Sequence, residues 1–252
     1  MKYTDINAET IDRWVAEGWE WGKPISHAEY ADALKGKWDV VLTPNKPVPK
    51  EWFPDLSGKR VLGLAAGGGQ QMPVFAALGA ECTVMDYSER QLQSERLVAE
   101  REHYEITIVR ADMTEPFPFE DASFDVIFHP VSNCYIRDVM HVWKECARVI
   151  RPGGLLMAGL DNGVNFLFED DESHITGSLP FDPLSDPEQM EILKRDDCGV
   201  QFSHGIEEQI AGQIRAGFEL LDVYEDTNES GFLKEHGVPT FFATLAKRKM
   251  RS

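Results

Sequence analysis

The sequence VLGLAAGGGQQ, from Val61 to Gln71, joins a short apolar run to three consecutive glycines. An apolar run that ends in glycines before a helical pattern is typical of a buried strand turning into a helix. Methionine stands at position 72, where the G-x-G-x-x-G loop of dinucleotide-binding proteins has its third glycine. No Gly-Lys-Ser or Gly-Lys-Thr follows, as a P-loop requires. The loop therefore disfavours NAD and ATP, and a turn that binds no ligand remains an alternative.

Around this loop, strand and helix patterns alternate along most of the chain. Five strand patterns between Arg60 and Asp161 predict a mostly parallel sheet. Two more, FELLDVYEDT and PTFFATLAKRK, follow each other with no helical pattern between them, which predicts an antiparallel edge. Before them, Ile206, Ile210 and Ile214 recur at helical spacing and predict one buried helix face.

The chain divides into an accessory segment and a main domain. Residues 1–58 contain two short helical patterns and a proline-rich connector, and residues 59–252 form the domain. The first helix is predicted from Thr10 to Trp19, and the second begins at a capping box, Ser26-x-x-Glu29. The alternation is interrupted over residues 161–205, an insertion that is a candidate lid.

The composition is acidic, with 43 Asp and Glu against 25 Lys and Arg and a formal charge of -18. This charge repels a phosphate backbone, so we expect no nucleic acid partner. The start of the chain has no signal-peptide pattern and no run of ~18 apolar residues follows, which predicts no membrane partner and a cytoplasmic location. The four cysteines contain no C-x-x-C pair and predict neither zinc binding nor disulfides. The acidic run from Glu169 to Glu172 indicates a solvated loop.

Two carboxylates close the second and third predicted strands, Asp86 in TVMDYS and Asp112 in IVRADM. Adjacent parallel strands end side by side, so both residues are expected at the sheet edge that bears the glycine loop. Asp86 comes close to the ~20-residue spacing of a carboxylate that binds a ribose diol. Asp112 suits an adenine amino group, although a loop cap is an equal alternative. The pattern favours a ligand that contains adenosine.

The motifs VLGLAAGGGQ, VMDYSERQL, IVRADM, EPFPFEDASFDVIF and ECARVIRPGGLL extend from Lys59 to about Leu160. Together they resemble the class I S-adenosylmethionine-dependent methyltransferases, and more closely their small-molecule branch, type 11. The resemblance implies an α/β fold of the Rossmann-like, doubly wound kind, with a mostly parallel seven-stranded sheet. It also implies S-adenosyl-L-methionine as cofactor, S-adenosyl-L-homocysteine as product, and a small-molecule methyl acceptor.

The resemblance assigns cofactor contacts residue by residue. They fall on Ala65, Gly67, Gly69, Asp86, Tyr87, Asp112 and Met113. Two positions depart from the family pattern, because Gly63 stands where an acidic residue is usual and Ala65 replaces the first glycine. Backbone carbonyls of the loop or of His129 are then expected to meet the cofactor ammonium.

Methyl transfer from a sulfonium is an in-line displacement that depends on alignment, so it needs no catalytic triad. An acceptor hydroxyl or amine still needs a base. The fourth strand ends in FHPVSNCY, at the sheet edge where α/β folds bind substrates. His129, Asn133 and Tyr135 are therefore the candidate catalytic residues, and a histidine bonded to backbone beneath the cofactor is the alternative for His129.

The pair Asp161-Asn162 resembles the magnesium-binding pair of catechol-type methyltransferases. The further carboxylate of such a site falls here near His129, so no metal is predicted. Two alternative functions remain at this point. One is a protein that binds the cofactor without turnover, and the other is an NAD-binding oxidoreductase.

Overall fold

A computed structural model describes residues 2–168 and 172–250. The acidic residues Glu169 to Asp171, which belong to the run predicted to be a solvated loop, lie outside the described residues. Within the described ranges, no helix has the length and the apolar sequence needed to span a bilayer.

The described chain folds into one seven-stranded sheet flanked by helices. The strands are β1 (Arg60–Leu64), β2 (Glu81–Asp86), β3 (Ile106–Arg110), β4 (Phe124–His129), β5 (Ile150–Asp161), β6 (Phe218–Asp226) and β7 (Phe241–Arg248). The helices are α1 (Tyr3–Ala16), α2 (His27–Ala33), α3 (Gln71–Ala77), α4 (Glu89–Glu102), α5 (Val139–Val149), α6 (Pro187–Asp196), α7 (Gly212–Arg215) and α8 (Phe232–Glu235).

The strand order is β3-β2-β1-β4-β5-β7-β6. The five strands from β3 to β5 are parallel, and β7 pairs antiparallel with both β5 and the outermost strand β6. This confirms the predicted Rossmann-like sheet with an antiparallel edge. The order reverses between β1 and β4, and open α/β sheets bind their ligands in the crevice at such a reversal.

The two faces of the sheet are buried by different parts of the chain. On one face Leu62 and Ile127 belong to the same apolar cluster as Trp143 of α5. On the other face Val61 and Phe128 belong to a cluster with Leu42, Trp52 and Leu56 of the connector. Residues 1–58 therefore contribute to the main core as well as to the walls of the site described below.

Two sequence predictions are corrected by the structure, and the insertion is found to contain a helix. Helix α1 begins at Tyr3 instead of Thr10. The sequence pattern missed its first turns because the buried face there includes the polar residues Thr4, Asn7 and Thr10, and the pattern was sought in apolar residues. The insertion contains a ten-residue helix, α6, which begins at the cap Asp186 with Pro187 in its first turn.

Of the predicted isoleucine face, only Ile210 is partly buried and packs against the core. Ile206 and Ile214 are 65% and 45% exposed, whereas Gln209 and Gln213 are buried. Both glutamines are satisfied inside the protein, because Gln213 Nε2 donates to Thr244 Oγ1 at 3.1 Å and Gln209 accepts from Asn133. Hydrogen-bonded amides can therefore replace the expected apolar face.

Candidate active site

A cavity of about 670 Å³ opens at the carboxyl edge of the sheet. Residues that follow each of the five parallel strands, or end them, line it, and they are Ala65, Asp86, Asp112, Pro130 and Asp161. Side chains of α1, the connector, the insertion and β7 complete the wall. A cavity of this size accommodates a cofactor and a small second molecule.

The glycine loop presents its backbone to this cavity but turns most of its amides away from it. Gly67 N donates to Asp86 Oδ2 at 3.1 Å, Gly68 N to the Gln91 carbonyl at 3.0 Å, and Gly69 N to Glu95 Oε1 at 2.8 Å. Ala65 and Gly67 line the cavity, and their cofactor contacts stay predictions. Gly69 does not line it, because its amide is directed to the buried Glu95 behind the loop, so a direct cofactor contact by Gly69 is not supported.

Of the two residues that depart from the family pattern, Gly63 has a structural explanation and Ala65 has a strained backbone. A Cβ atom at Gly63 would lie 2.7 Å from Met72 Sδ, so glycine on β1 provides the room that Met72 of α3 fills. The third glycine of a dinucleotide loop makes such room on the helix side, and here the glycine is on the strand side. Ala65 has a φ of 47°, in the left-handed region that favours glycine.

Asp86 lies between two backbone donors at the end of β2. Oδ2 accepts from Gly67 N and Oδ1 accepts from Ser88 N at 2.9 Å. Burial raises the pKa of the Asp86 carboxyl to about 6, although these hydrogen bonds favour its ionised form. The carboxylate is thus fixed in place at the cavity wall and available to hydroxyl donors.

Asp112 and Met113 line the same end of the cavity, as does Tyr87. Asp112 Oδ2 accepts from Thr4 Oγ1 of α1 at 2.7 Å, and Tyr87 Oη donates to Asp5 Oδ1 at 2.9 Å. Helix α1 therefore covers this end of the cavity. Sequence reasoning missed Thr4 and the rest of this helix face, and a search for polar residues at helical spacing would have found it.

His129 and Asn133 lie beneath the cavity and do not line it. His129 is fully buried, with Nδ1 at 2.9 Å from the Leu64 carbonyl and Nε2 at 2.8 Å from Asn133 Oδ1. Burial lowers the pKa of His129, which keeps the ring neutral. Both ring nitrogens of His129 are thus engaged inside the protein, and the catalytic role of His129 and Asn133 stays a prediction.

Tyr135 differs from these two residues because it lines the cavity. Burial raises the pKa of its hydroxyl well above 10, so Tyr135 is a hydrogen-bond donor and not a base at neutral pH. Cys134 also lines the cavity, and burial raises the pKa of its thiol, which makes it unreactive.

The insertion forms the other end of the cavity with aromatic side chains. Phe166 and Phe181 stack with their ring centroids 4.9 Å apart, and both line the cavity. The insertion is fastened to α1, because Val200 N donates to Asn7 Oδ1 at 2.6 Å and Arg13 pairs with Asp197.

Asp161 and its neighbour Asn162 point in different directions. Asp161 lines the cavity, while Asn162 Nδ2 donates to the Pro239 carbonyl at 2.8 Å and Asn162 Oδ1 accepts from Val164 N at 3.1 Å. In the part of the chain that the structure describes, no three His, Cys, Asp or Glu side chains are grouped to hold a metal ion.

The strand order, the loop at its reversal and the carboxylates after β2 and β3 define a class I S-adenosylmethionine-dependent methyltransferase. Residues 62–158 match the family model described as a methyltransferase domain. The chain is 42% identical over 246 residues to the uncharacterized methyltransferase YbaJ of Bacillus subtilis (strain 168), covering 94% of this chain and 95% of that one. The chain thus belongs to the methyltransferase family and is an enzyme.

More distant relatives share part of the chain or the fold alone. The demethylmenaquinone methyltransferase of Clavibacter sepedonicus is 36% identical over 106 residues, which cover 40% of this chain and 41% of that one. A methyltransferase structure from Mesorhizobium loti superposes with a TM-score of 0.61 at 20% identity, over 79% of this chain and 95% of that one. A putative methyltransferase from Listeria monocytogenes gives 0.62 at 17% identity, over 80% and 95%.

Proposed function

We propose that this enzyme transfers the methyl group of S-adenosylmethionine to a small-molecule acceptor by in-line displacement. The observation that carries the proposal is the one cavity shared by the glycine loop and the insertion. Its volume of about 670 Å³ suits two small molecules in contact and not a macromolecular surface. The acidic sequence supports the same choice, because its negative charge disfavours a nucleic acid partner. A cytoplasmic location remains part of the proposal, from the absence of a signal-peptide pattern and of a long apolar run in the sequence.

The residues at the glycine-loop end fit an adenosine-containing cofactor. A Cβ at Gly67 would lie 2.6 Å from Gln91 Cβ and 2.9 Å from Asp86 Oδ2, so glycine lets the loop backbone pass close to α4 and to this carboxylate. Asp86 would hold the ribose hydroxyls, and Asp112 with Met113 would meet the adenine. When bound, S-adenosylmethionine supplies a methyl group on a positively charged sulfur and leaves as S-adenosylhomocysteine.

The contribution of the chain to this chemistry is alignment and exclusion of water. Helix α1 covers the cofactor end through Thr4 and Asp112, and its contact between Asn7 and Val200 joins it to the insertion. Holding two reactants in a closed cavity makes a bimolecular step effectively unimolecular.

We assign His129 a positioning role in this proposal. Its ring joins the end of β1, at the Leu64 carbonyl, to Asn133 after β4. Asn133 Nδ2 continues the network to Gln209 Oε1 at 3.0 Å. The network fixes the strand ends from which the glycine loop departs.

Calorimetry with S-adenosylhomocysteine, S-adenosylmethionine and NAD tests the proposal. We expect both sulfur ligands to bind and NAD not to. Asp86→Asn removes the charge at the ribose contact, and losing charge-assisted hydrogen bonds of ~1.5–3 kcal/mol weakens binding of S-adenosylhomocysteine about 10- to 150-fold.

The matched control is Asp125→Asn, which removes a carboxylate paired with Arg60 near the start of β4, at the opposite end of the sheet. This variant should retain the wild-type affinity for S-adenosylhomocysteine. Absence of binding by the wild-type protein would refute the proposed function. An unchanged affinity in Asp86→Asn would refute the ribose assignment alone.

A further inference from the structure

Asp161 places a carboxylate in the wall of the cavity, at the end of β5. The residue is 8% exposed and lines the cavity near the aromatic insertion. Its described hydrogen-bond donors are neutral, because Oδ1 accepts from Gly163 N at 2.6 Å and Oδ2 accepts from Asn165 Nδ2 at 3.3 Å. Each carboxylate oxygen accepts up to two hydrogen bonds, so acceptor capacity is left on both.

Burying a carboxylate that only neutral groups hydrogen-bond costs free energy, and a ligand that donates to the carboxylate would offset this cost. Burial raises the pKa of Asp161 to about 6, so the group is ionised above that pH. Cys134 is close enough to feel the charge of Asp161, and its thiol stays neutral because burial, together with that charge, raises its pKa. A perturbed carboxyl inside a cleft is a frequent sign of a functional residue.

Phenylalanine side chains line the same cavity as Asp161. Phe241 is its partner across the β5 and β7 pairing and also lines the cavity. Phe166 and Phe181 stack on each other in the same wall. Such a wall suits a ring-bearing molecule, and one carboxylate within it suits a hydroxyl or amine on that ring.

Resting on the proposed function, we propose that the acceptor is a ring-bearing alcohol, phenol or amine whose methyl-accepting O–H or N–H donates to Asp161, which takes its proton. The acceptor oxygen or nitrogen bonds to the methyl carbon as the carbon–sulfur bond breaks and leaves its electrons on sulfur. The proton moves from the acceptor to Asp161 and then to water. The products are the methylated acceptor, S-adenosylhomocysteine and one released proton.

Other ionisable residues are less suited to this step. Asp86 and Asp112 lie at the glycine-loop end and accept from Gly67 N and from Thr4. Asp196 of α6 is paired with Arg195, with its Oδ1 at 2.7 Å from Nε. His129 does not line the cavity. Asp161 is therefore the carboxylate best placed to accept a proton from an acceptor bound against the phenylalanine side chains of the cavity.

The test uses Asp161→Asn, whose side-chain oxygen can still accept from Gly163 N while the negative charge is lost. Its control is Asp182→Asn, a carboxylate of the same insertion that pairs with Arg137 and does not line the cavity. The probes are 2-naphthol, naphthalene and 2-methoxynaphthalene, which share a ring system and differ in the donor group. Binding is titrated at pH 8 with S-adenosylhomocysteine saturating.

The wild-type protein and Asp182→Asn should bind 2-naphthol at least tenfold more tightly than either probe without a donor. In Asp161→Asn this preference should disappear while the affinity for S-adenosylhomocysteine is unchanged. The inference is overturned if the preference persists in Asp161→Asn, if the wild-type protein shows none, or if no naphthalene probe binds. Failure of the wild-type protein to bind S-adenosylhomocysteine would instead refute the proposed function, so the two failures are distinguishable.

Discussion

Glu95→Gln should make the protein more stable at alkaline pH than the wild type. Glu95 lies on α4 behind the glycine loop and is fully buried, with Oε1 accepting from Gly69 N and Oε2 without a partner among the described residues. Burial raises the pKa of this carboxyl to about 8, and the nearby charge of Asp86 adds to the rise while the Gly69 amide opposes it. The folded protein therefore keeps a proton that the unfolded chain has released.

The sign and size of the effect follow from proton linkage. The unfolded chain releases this proton near pH 4.5 and the folded protein near pH 8, so the folded state binds more protons between these values. The free energy of unfolding then falls as pH rises, with a slope of at most ~1.4 kcal/mol per pH unit. Between pH 5 and pH 8 the contribution of Glu95 falls by about 3–4 kcal/mol. Glutamine does not titrate, so the unfolding free energy of the variant does not fall with pH at this position.

Urea unfolding of the wild type and Glu95→Gln at pH 5, 6.5 and 8, at one salt concentration, measures the difference. The buried glutamine amide without a partner lowers the unfolding free energy of the variant by ~1–3 kcal/mol, and this cost is the same at every pH. From pH 5 to pH 8, the unfolding free energy of the variant should therefore rise by about 3–4 kcal/mol relative to that of the wild type. Glu100→Gln, on the exposed side of the same helix, should follow the wild type. Parallel pH profiles for the wild type and Glu95→Gln would show that Glu95 is not a neutral buried acid.

Two further predictions concern the unusual loop residues. Gly63→Ala should lower the free energy of unfolding by ~1–3 kcal/mol, because the new Cβ would lie 2.7 Å from Met72 Sδ. In urea unfolding, the double variant with Met72→Ala should lose less stability than the sum of the two single variants. Ala65→Gly should raise the free energy of unfolding by about 1 kcal/mol, since it removes the left-handed strain at a φ of 47°, and a lower melting temperature for this variant would contradict that reading of the backbone.

The central strands and the strand-end carboxylates were predictable because topology alone fixes them. Parallel strands buried on both faces give continuous apolar runs, as in Val61 to Leu64. Residues that close neighbouring parallel strands meet at one edge, which placed Asp86 and Asp112 together. The cap at Ser26 was also predictable, because capping depends on local sequence.

Features that depend on tertiary partners were not predictable in the same way. Helix α1 buries Thr4 and Asn7 because Asp112 and Val200 provide their hydrogen bonds, and both partners are distant in sequence. The position of His129 on β4 was correct, but its direction depends on the Leu64 carbonyl and Asn133. A pattern can place a residue on a strand end without telling whether its side chain faces the cavity or the layer beneath it.

The order of the last two strands has a consequence for the solubility of the folded protein. Among the described strands, β6 pairs only with β7, which separates it from β5, so β6 is an edge of the sheet. Its outer backbone groups can pair with another chain, and Leu221 and Val223 are exposed on it. Glu219, Asp222 and Glu225 place negative charge along this edge, which repels the same edge of a second copy of the protein.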